Sequence, residues 1–182
     1  MAKLVSKTYG QALFELALEE HALEQILEEE AFVKEVFAEN EELVTLLNHP
    51  KISKDEKVKV MENIFKNKLS DTMVGFLAIV VNKERYSELE SIFQYFEDKV
   101  REYKNIGVVS VTTAVELTDV QKEQLTKRLL ETTSFKQLEF SYTIEPEIIG
   151  GMILRIGDRI VDSSIRTELN EMAKSLTKIQ LS

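Results

Sequence analysis

Residues 148–169 read IIGGMILRIGDRIVDSSIRTEL, and they decide the fold of the C-terminal part of the chain. Apolar runs flank the pair Gly157 and Asp158, and a glycine at the first central position of a two-residue turn favours a type II′ β-hairpin. Gly150 and Gly151 predict a bend or a close backbone approach, because neither has a side chain. The stretch therefore predicts a strand, a tight turn, a short strand and the start of a helix. It offers no nucleophile–base pair and no cluster of metal ligands.

The sequence around this hairpin predicts a small α+β domain over residues 106–182. Residues 108–115 are β-branched and residues 138–144 alternate apolar with polar side chains, so both predict strands. Between them, Thr118 and Gln121 have the spacing of a capping box, which predicts a helix. The predicted order is strand, helix, strand, strand, strand, helix. The last helix has one apolar stripe, formed by Ile165, Leu169, Met172, Leu176 and Ile179.

Residues 1–105 have helical periodicity throughout and predict a bundle of six helices with short connections. The chain is therefore predicted to be mainly α, with an N-terminal six-helix bundle followed by the small α+β domain. Asn40 is expected to cap a short third helix that Pro50 ends. Capping boxes beginning at Ser53 and Ser87 predict the starts of the fourth and sixth helices.

Residues 73–81 have no polar side chain, so they fit either a buried strand or a buried helix. Their helical neighbours and the preceding Ser70 favour a central helix, the fifth of the bundle. Gly75 lies in this helix and Gly10 in the first, although glycine costs about 1 kcal/mol relative to alanine inside a helix. Either the glycines let the two helices pack closely together, or they line a groove that receives a partner helix. Both interpretations can hold at once.

The charge distribution is acidic and uneven. The formal net charge is −9, which argues against duplex nucleic acid or an anionic membrane surface as a direct partner. Between Glu15 and Glu42 there are 11 acidic residues and one basic residue, Lys34. Such a run fits a solvated helical face, or alternatively a docking surface for a basic partner.

The remaining features exclude whole classes of chemistry. There is no cysteine, so disulfides, thiolate metal sites and a cysteine nucleophile are excluded. His21 and His49 are not at metal-ligand spacing, and no dinucleotide-binding or phosphate-binding glycine motif occurs. No apolar run approaches the 20 or so residues of a membrane span, and residues 1–4 enter a helical pattern without a signal-peptide block. We therefore expect a cytosolic or peripheral protein that is not an enzyme and has no cofactor, metal ion or inserted membrane segment.

Several motifs together carry a family resemblance. They are SKTYGQALFELA at residues 6–17, LLNHPKI at 46–52, IGG at 149–151, IGDRI at 156–160 and DSSIR at 162–166. With these motifs the chain resembles the delta subunit family of bacterial proton-translocating ATP synthases, whose mitochondrial counterpart is the oligomycin-sensitivity-conferring protein. The resemblance covers essentially the whole chain, and its C-terminal motifs are the more specific ones.

The resemblance implies a non-catalytic stator subunit, peripheral at the cytoplasmic face of the bacterial cell membrane. Its N-terminal bundle, residues 1–105, would bind the N-terminal helix of an ATP synthase alpha subunit in a groove between the first and fifth helices. Its C-terminal domain, residues 106–182, would bind the C-terminal end of the peripheral-stalk b subunits. The groove then falls, by position in the family, on Val5, Tyr9, Ala12, Leu13, Phe76, Ile79 and Val80.

The chain departs from the family pattern at two positions, and two other readings compete. Ser163 stands where the family usually has glycine, so a serine cap is expected to replace a positive-φ turn before the last helix. Gly10 stands where the family usually has alanine, which widens the room on the first helix. A generic acidic helical adaptor would explain the bundle but not the C-terminal motifs. An unrecognised enzyme would require a polar pocket that the sequence does not supply.

Overall fold

The computed structural model describes the backbone of residues 2–179 and the side chains of residues 4–176. Over these residues the chain is mainly helical, with eight α-helices and one mixed four-stranded sheet. It divides into two compact units, Met1–Val100 and Arg101–Ser182. A mainly helical chain with a small α+β part was predicted from the sequence, and this coarse description is confirmed.

Among its described residues, the first unit contains helices and no strand. They are α1 (Ala2–Glu19), α2 (Leu23–Glu39), α3 (Glu41–Asn48), α4 (Lys54–Phe65), α5 (Asp71–Asn82) and most of α6 (Leu89–Lys104), with a 3-10 helix at Tyr86–Glu88. The apolar stretch that fitted either a strand or a helix is α5. Its start is capped by Ser70, whose Oγ accepts a hydrogen bond from the Met73 amide at 3.2 Å.

Side-chain caps begin four of the eight described helices, and the caps correct two expectations. The capping box of Ser53 and Glu56 forms as predicted at the start of α4. Asn40 does not cap α3, because its side-chain amide donates instead to the Val36 carbonyl at the end of α2, 2.8 Å away. Ser87 does not begin a helix either, since it lies inside the 3-10 helix that precedes α6. Both residues have local alternatives to capping, which spacing alone does not reveal.

The core of the first unit draws on all six helices. Its buried residues include Leu13, Ile26, Leu47, Phe65, Met73 and Phe96, one from each helix in order. Phe76 lies beside Phe93 with ring centroids 6.5 Å apart, and the Phe32 ring meets Phe65 edge-on at 6.4 Å. Such aromatic pairs add to the free energy gained from apolar burial.

The second unit is built on a sheet with strand order β2-β1-β3-β4. Its strands are β1 (Ile106–Thr113), β2 (Gln137–Ile144), β3 (Met152–Ile156) and β4 (Arg159–Asp162), and its helices are α7 (Asp119–Thr132) and α8 (Ile165–Ile179). Strands β1 and β2 are parallel and joined through α7, while β3 is antiparallel to both β1 and β4. The capping box of Thr118 and Gln121 opens α7. The predicted order of elements is confirmed.

Gly151 and Gly157, in residues 148–169, have the roles that the sequence indicated. Gly157 has φ +56° between the paired residues Ile156 and Arg159, and positive φ at this position is what a type II′ turn requires. Gly151 has φ +75°, and a Cβ there would lie 2.1 Å from the Ser163 carbonyl oxygen. The turn before α8 therefore packs directly on backbone that has no side chain.

Apolar burial in the second unit is limited. The buried cluster consists of Val109, Val111 and Leu129, surrounded by half-buried residues such as Phe140 and Leu154. Many other apolar side chains of this unit stay exposed to solvent. A unit with so small a core gains little stabilisation from apolar burial within itself.

Candidate partner-binding surfaces

The side chains that most often bind metal ions lie apart from one another over the part of the chain that the structure describes. Within residues 2–179, no three His, Asp or Glu side chains converge as a metal site would require. His21 is exposed in the turn after α1, and His49 Nδ1 accepts a hydrogen bond from the Lys51 amide at 3.3 Å. The structure also contains no helix, over the part it describes, with the length and apolar character to cross a membrane.

The residues predicted to line the groove between α1 and α5 divide into a buried and an accessible set. Leu13 and Val80 are 0% exposed and Phe76 is 7% exposed, all three within the core of the first unit. These three residues are core residues, and little of their side chains is available to a partner. Their substitution would therefore report on folding before it reported on partner binding.

The accessible set differs in how far its side chains reach the surface. Ile79 is 55% exposed on α5, and Ala12 is exposed on α1. Val5 and Tyr9 are half-buried, and Tyr9 packs against the core. We call Ala12, Gly75 and Ile79 the α1/α5 surface. Exposed Glu15 and Glu19 follow Ala12 along α1 and give this surface an acidic border.

The start of α5 is fixed by two carboxylates. The buried Glu29 of α2 accepts hydrogen bonds from the Ser70 amide at 2.9 Å and from the Ser70 hydroxyl at 2.7 Å. At the end of α1, the Glu20 carboxylate accepts a hydrogen bond from the Thr72 hydroxyl at 2.8 Å. A negative charge at a helix N-terminus is stabilising, and here it also positions α5 beside its neighbours.

The two helical glycines do not bring α1 and α5 together, which corrects one of the two interpretations of the sequence. A Cβ on Gly10 would lie 2.7 Å from Tyr95 Cδ1 and 2.9 Å from the Ile92 carbonyl oxygen, so this glycine lets α1 approach α6. A Cβ on Gly75 would meet nothing within 4 Å. Gly75 therefore leaves a shallow, open place on α5 beside Ile79, one turn further along.

The acidic run between Glu15 and Glu42 is only partly a solvated face. Glu29 is 9% exposed and Glu30 is 1% exposed. Burial raises the pKa of Glu30 to about 7, with the nearby Lys34 opposing this shift and the Glu97 carboxylate adding to it. The apolar neighbours Ile26 and Val33 on the same helical face indicated this burial, but the charge pattern concealed it.

The second unit has an apolar surface on α8. Ile165, Leu169, Met172 and Leu176 are between 41% and 65% exposed, and they lie on one face at helical spacing. We call these four residues the α8 stripe. The fifth predicted member, Ile179, has its side chain outside the described residues. The stripe is an unpartnered amphipathic face of the kind that packs against another helix.

A compact hydrogen-bonded turn holds the start of α8. Ser164 is fully buried, and its Oγ accepts a hydrogen bond from the Thr167 amide at 3.3 Å, so Ser164 caps the helix rather than the expected Ser163. Asp162 accepts hydrogen bonds from the Ser164 amide at 2.9 Å and from the Thr167 hydroxyl at 2.8 Å. These hydrogen bonds, those with Ser164 first, lower the pKa of Asp162. The serine at 163 thus leaves the turn intact.

Comparison with known proteins supplies the context for these surfaces. The chain is 57% identical over 181 residues to an ATP synthase subunit delta of Lachnoclostridium phytofermentans, covering 100% of both chains. It is 31% identical to an ATP synthase subunit delta of Prochlorococcus marinus strain AS9601, covering 96% of this chain and 97% of that one. Its fold is similar to that of a chain in the cryo-EM structure of the Toxoplasma gondii mitochondrial ATP synthase hexamer. The TM-score is 0.69 at 19% identity, over 94% of this chain and 97% of the other.

A family profile agrees with these relatives. The profile described as ATP synthase delta (OSCP) subunit matches residues 5–176, which include the α1/α5 surface, the β3–β4 hairpin and the α8 stripe. With this profile match and a full-length relative at 57% identity, the chain belongs to the ATP synthase delta (OSCP) subunit family.

Proposed function

We propose that this chain is a non-catalytic stator subunit of the proton-translocating ATP synthase. It joins the catalytic head to the peripheral stalk, so that the head resists the torque of the rotor. The observation that carries the proposal is that a member of this family has exposed apolar side chains on each of its two units. Such a chain is built for two contacts rather than for a reaction.

The first contact is with the N-terminal helix of an alpha subunit. The six helices of residues 1–105 form one bundle in this proposal, and the partner helix lies over the α1/α5 surface. Ile79 supplies an apolar anchor and Gly75 the space for a close approach. The acidic border from Glu15 and Glu19 favours a partner helix with lysine or arginine along one edge.

The second contact is with the C-terminal end of the peripheral-stalk b subunits. The α8 stripe in residues 106–182 offers a continuous apolar face to a stalk helix. The buried cap at Ser164 fixes the start of α8, so a load applied along α8 reaches the sheet. The chain then works at the cytoplasmic face of the bacterial membrane through its partners, without inserting into the bilayer.

The mechanism of such a stator is static. Rotation inside the head exerts torque on the head, and a link that dissociates or stretches would let the head turn with the rotor. A single helix on an exposed surface is a modest interface, so its lifetime depends on a few apolar anchors that exclude water. Two contacts on one chain also raise the effective concentration of each partner for the other.

A binding measurement on two variants of the first unit tests the proposed alpha contact. Ile79→Asp places a charge on the α1/α5 surface, and we expect it to weaken binding of the alpha N-terminal peptide at least tenfold by isothermal titration calorimetry. Val44→Asp is the matched control, because Val44 is also apolar and exposed but lies on α3. The contact is located elsewhere if Ile79→Asp remains folded and binds the peptide like the unaltered chain.

Phe76→Asp is unsuitable for this purpose, although Phe76 is among the residues assigned to the groove. Its ring is buried against Phe93, and an unpaired charge there is expected to unfold the first unit. Circular dichroism would detect that loss of helix before any binding experiment.

Affinity capture from membranes tests the competing proposal of a generic acidic helical adaptor. If the chain is such an adaptor, the capture will fail to recover ATP synthase head subunits.

A further inference from the structure

Helices α2 and α6 are joined by a small cluster of charged side chains that the proposed function does not use. Lys34 Nζ lies 2.7 Å from Glu30 Oε1, one turn earlier on α2, and 2.5 Å from Glu97 Oε1 on α6. The two carboxylates thus share one ammonium group across residues that are 63 positions apart in the sequence. With both carboxyl groups ionised, the cluster has one more negative than positive charge.

The position of Glu30 makes that extra charge costly. The side chain is 1% exposed, and its Oε2 atom has no hydrogen-bond partner among the described residues. A buried, ionised oxygen without a donor is strongly destabilising, and taking up a proton removes the charge. A protonated Glu30 can also donate a hydrogen bond, which an ionised one cannot.

The charged groups around Glu30 come from two helices. Burial is the main cause of its raised pKa, the nearby Lys34 on α2 opposes the shift, and the charge of Glu97 on α6 adds to it. Partial burial lowers the pKa of Lys34, but the two carboxylates outweigh this and raise it, so Lys34 stays charged.

Three other charged side chains of the first unit, one of them on α2 itself, have partners outside the cluster. Glu29 binds Ser70 at the start of α5, and Lys57 of α4 lies over the Tyr86 ring with its Nζ 5.9 Å from the centroid. Glu20 at the end of α1 binds Thr72.

The cluster is accessible to protons from one side. Lys34 and Val33 line an open cavity of about 580 Å³ between α2, α3 and α6, and Phe93 forms part of its wall. The side chains of Lys34 and Glu97 are 36% and 24% exposed, whereas that of Glu30 is closed off. Solvent can therefore exchange a proton with the cluster through its outer members while Glu30 stays buried.

We propose that Glu30, Lys34 and Glu97 form a proton-binding lock between α2 and α6, which holds the first unit together more tightly when the two carboxyl groups carry one proton. The lock is a conformational device of the fold and does not depend on the proposed stator function. Burial raises the pKa of Glu30 to about 7, which places the transition close to neutral pH.

The sign of the pH dependence follows from this raised pKa. A carboxyl group whose pKa is higher in the folded than in the unfolded chain binds protons more tightly when folded, so the folded state gains stability as pH falls through about 7. Between pH 8 and pH 6, the gain corresponds to an increase of about tenfold in the folding equilibrium constant. It is complete near the pKa of 4.5 that an ordinary glutamate has.

Urea unfolding of the full chain at pH 6 and pH 8, followed by circular dichroism, tests the lock. The folding equilibrium constant of the unaltered chain is expected to be about tenfold larger at pH 6 than at pH 8. Glu30→Gln is expected to remove this difference by raising the folding equilibrium constant at pH 8. Glu97→Gln is the second variant. It removes the like charge and leaves the Glu30–Lys34 pair, so the stability gain should move to lower pH.

Two results would overturn the proposal. One is a Glu30→Gln chain that keeps the full difference between pH 6 and pH 8. The other comes from carbon-13 NMR titration of the unaltered chain, with the Glu30 carboxyl signal assigned through its backbone. A midpoint near 7 supports the lock, and a midpoint below 5 contradicts it even where a variant fails to fold.

Discussion

At the scale of single residues, the two helical glycines show how one residue type serves two purposes. Gly10 is buried at a place where α1 nearly touches α6, so its missing side chain is a packing requirement. Gly75 is exposed with open space around it, so packing within the chain gives no reason for its presence. Gly75 weakens α5 without improving packing inside the chain. This cost is explained if a partner helix packs closely against Gly75, as proposed.

Alanine substitutions separate these two roles. Gly75→Ala is expected to stabilise the first unit by about 1 kcal/mol, because alanine favours the helix and its Cβ meets nothing. Gly10→Ala is expected to destabilise it by about 1–3 kcal/mol, because the Cβ would press on the Ile92 carbonyl oxygen. Thermal or urea unfolding of the two variants measures both effects. Equal effects of the same sign would contradict the assigned packing.

Residue-scale prediction from the sequence succeeded where a local pattern determined the outcome. The capping residues Ser53, Ser70 and Thr118 lie at their expected places, because each cap depends only on residues two or three positions away. Asn40 and Ser87 were assigned wrongly, since their surroundings offered other hydrogen bonds or a 3-10 turn. The burial of Glu30 was missed because the acidic run concealed the apolar positions of Ile26 and Val33 on the same face of α2.

At the scale of elements, α8 is the helix whose apolar pattern predicts packing that the structure does not contain. Its apolar stripe has the spacing of a packed face, yet the four described members are largely exposed. The β3–β4 hairpin and the cap at Ser164 fix where α8 begins, so the stripe has a defined position although it is exposed. Periodicity predicted the stripe correctly, but no single-chain pattern distinguishes a face that meets the core from one that meets a partner.

A charge placed on the α8 stripe tests whether that stripe binds the stalk. Leu169→Asp is expected to reduce binding of the C-terminal segment of the stalk b protein more than tenfold, because it would bury an unpaired carboxylate in the interface. Asn170→Asp is the matched control, with the same added charge on the polar side of α8. Analytical ultracentrifugation of the chain with the b segment measures the change. Unchanged binding by a folded Leu169→Asp chain would place the stalk contact on another surface.

At the scale of the whole molecule, the order of elements and the change from helices to an α+β unit followed from sequence periodicity. The boundary predicted at residue 105 lies close to the division at Val100, inside α6, but helical periodicity continues through this point and cannot mark it. The groove residues were assigned from the family resemblance by position alone. That assignment could not distinguish Ile79 on the surface from Phe76 and Val80 beneath it, because one apolar helix supplies both layers.

In the proposed stator, this one chain holds head and stalk together through two separate surfaces. Capture of the catalytic head on an immobilised segment of the stalk b protein, with this chain as the only link, measures that connection. The unaltered chain should retain the head, whereas Ile79→Asp should bind the b segment without the head. Leu169→Asp should bind the head without the b segment. The claim is contradicted if the head is retained without this chain, or if both folded variants still retain it.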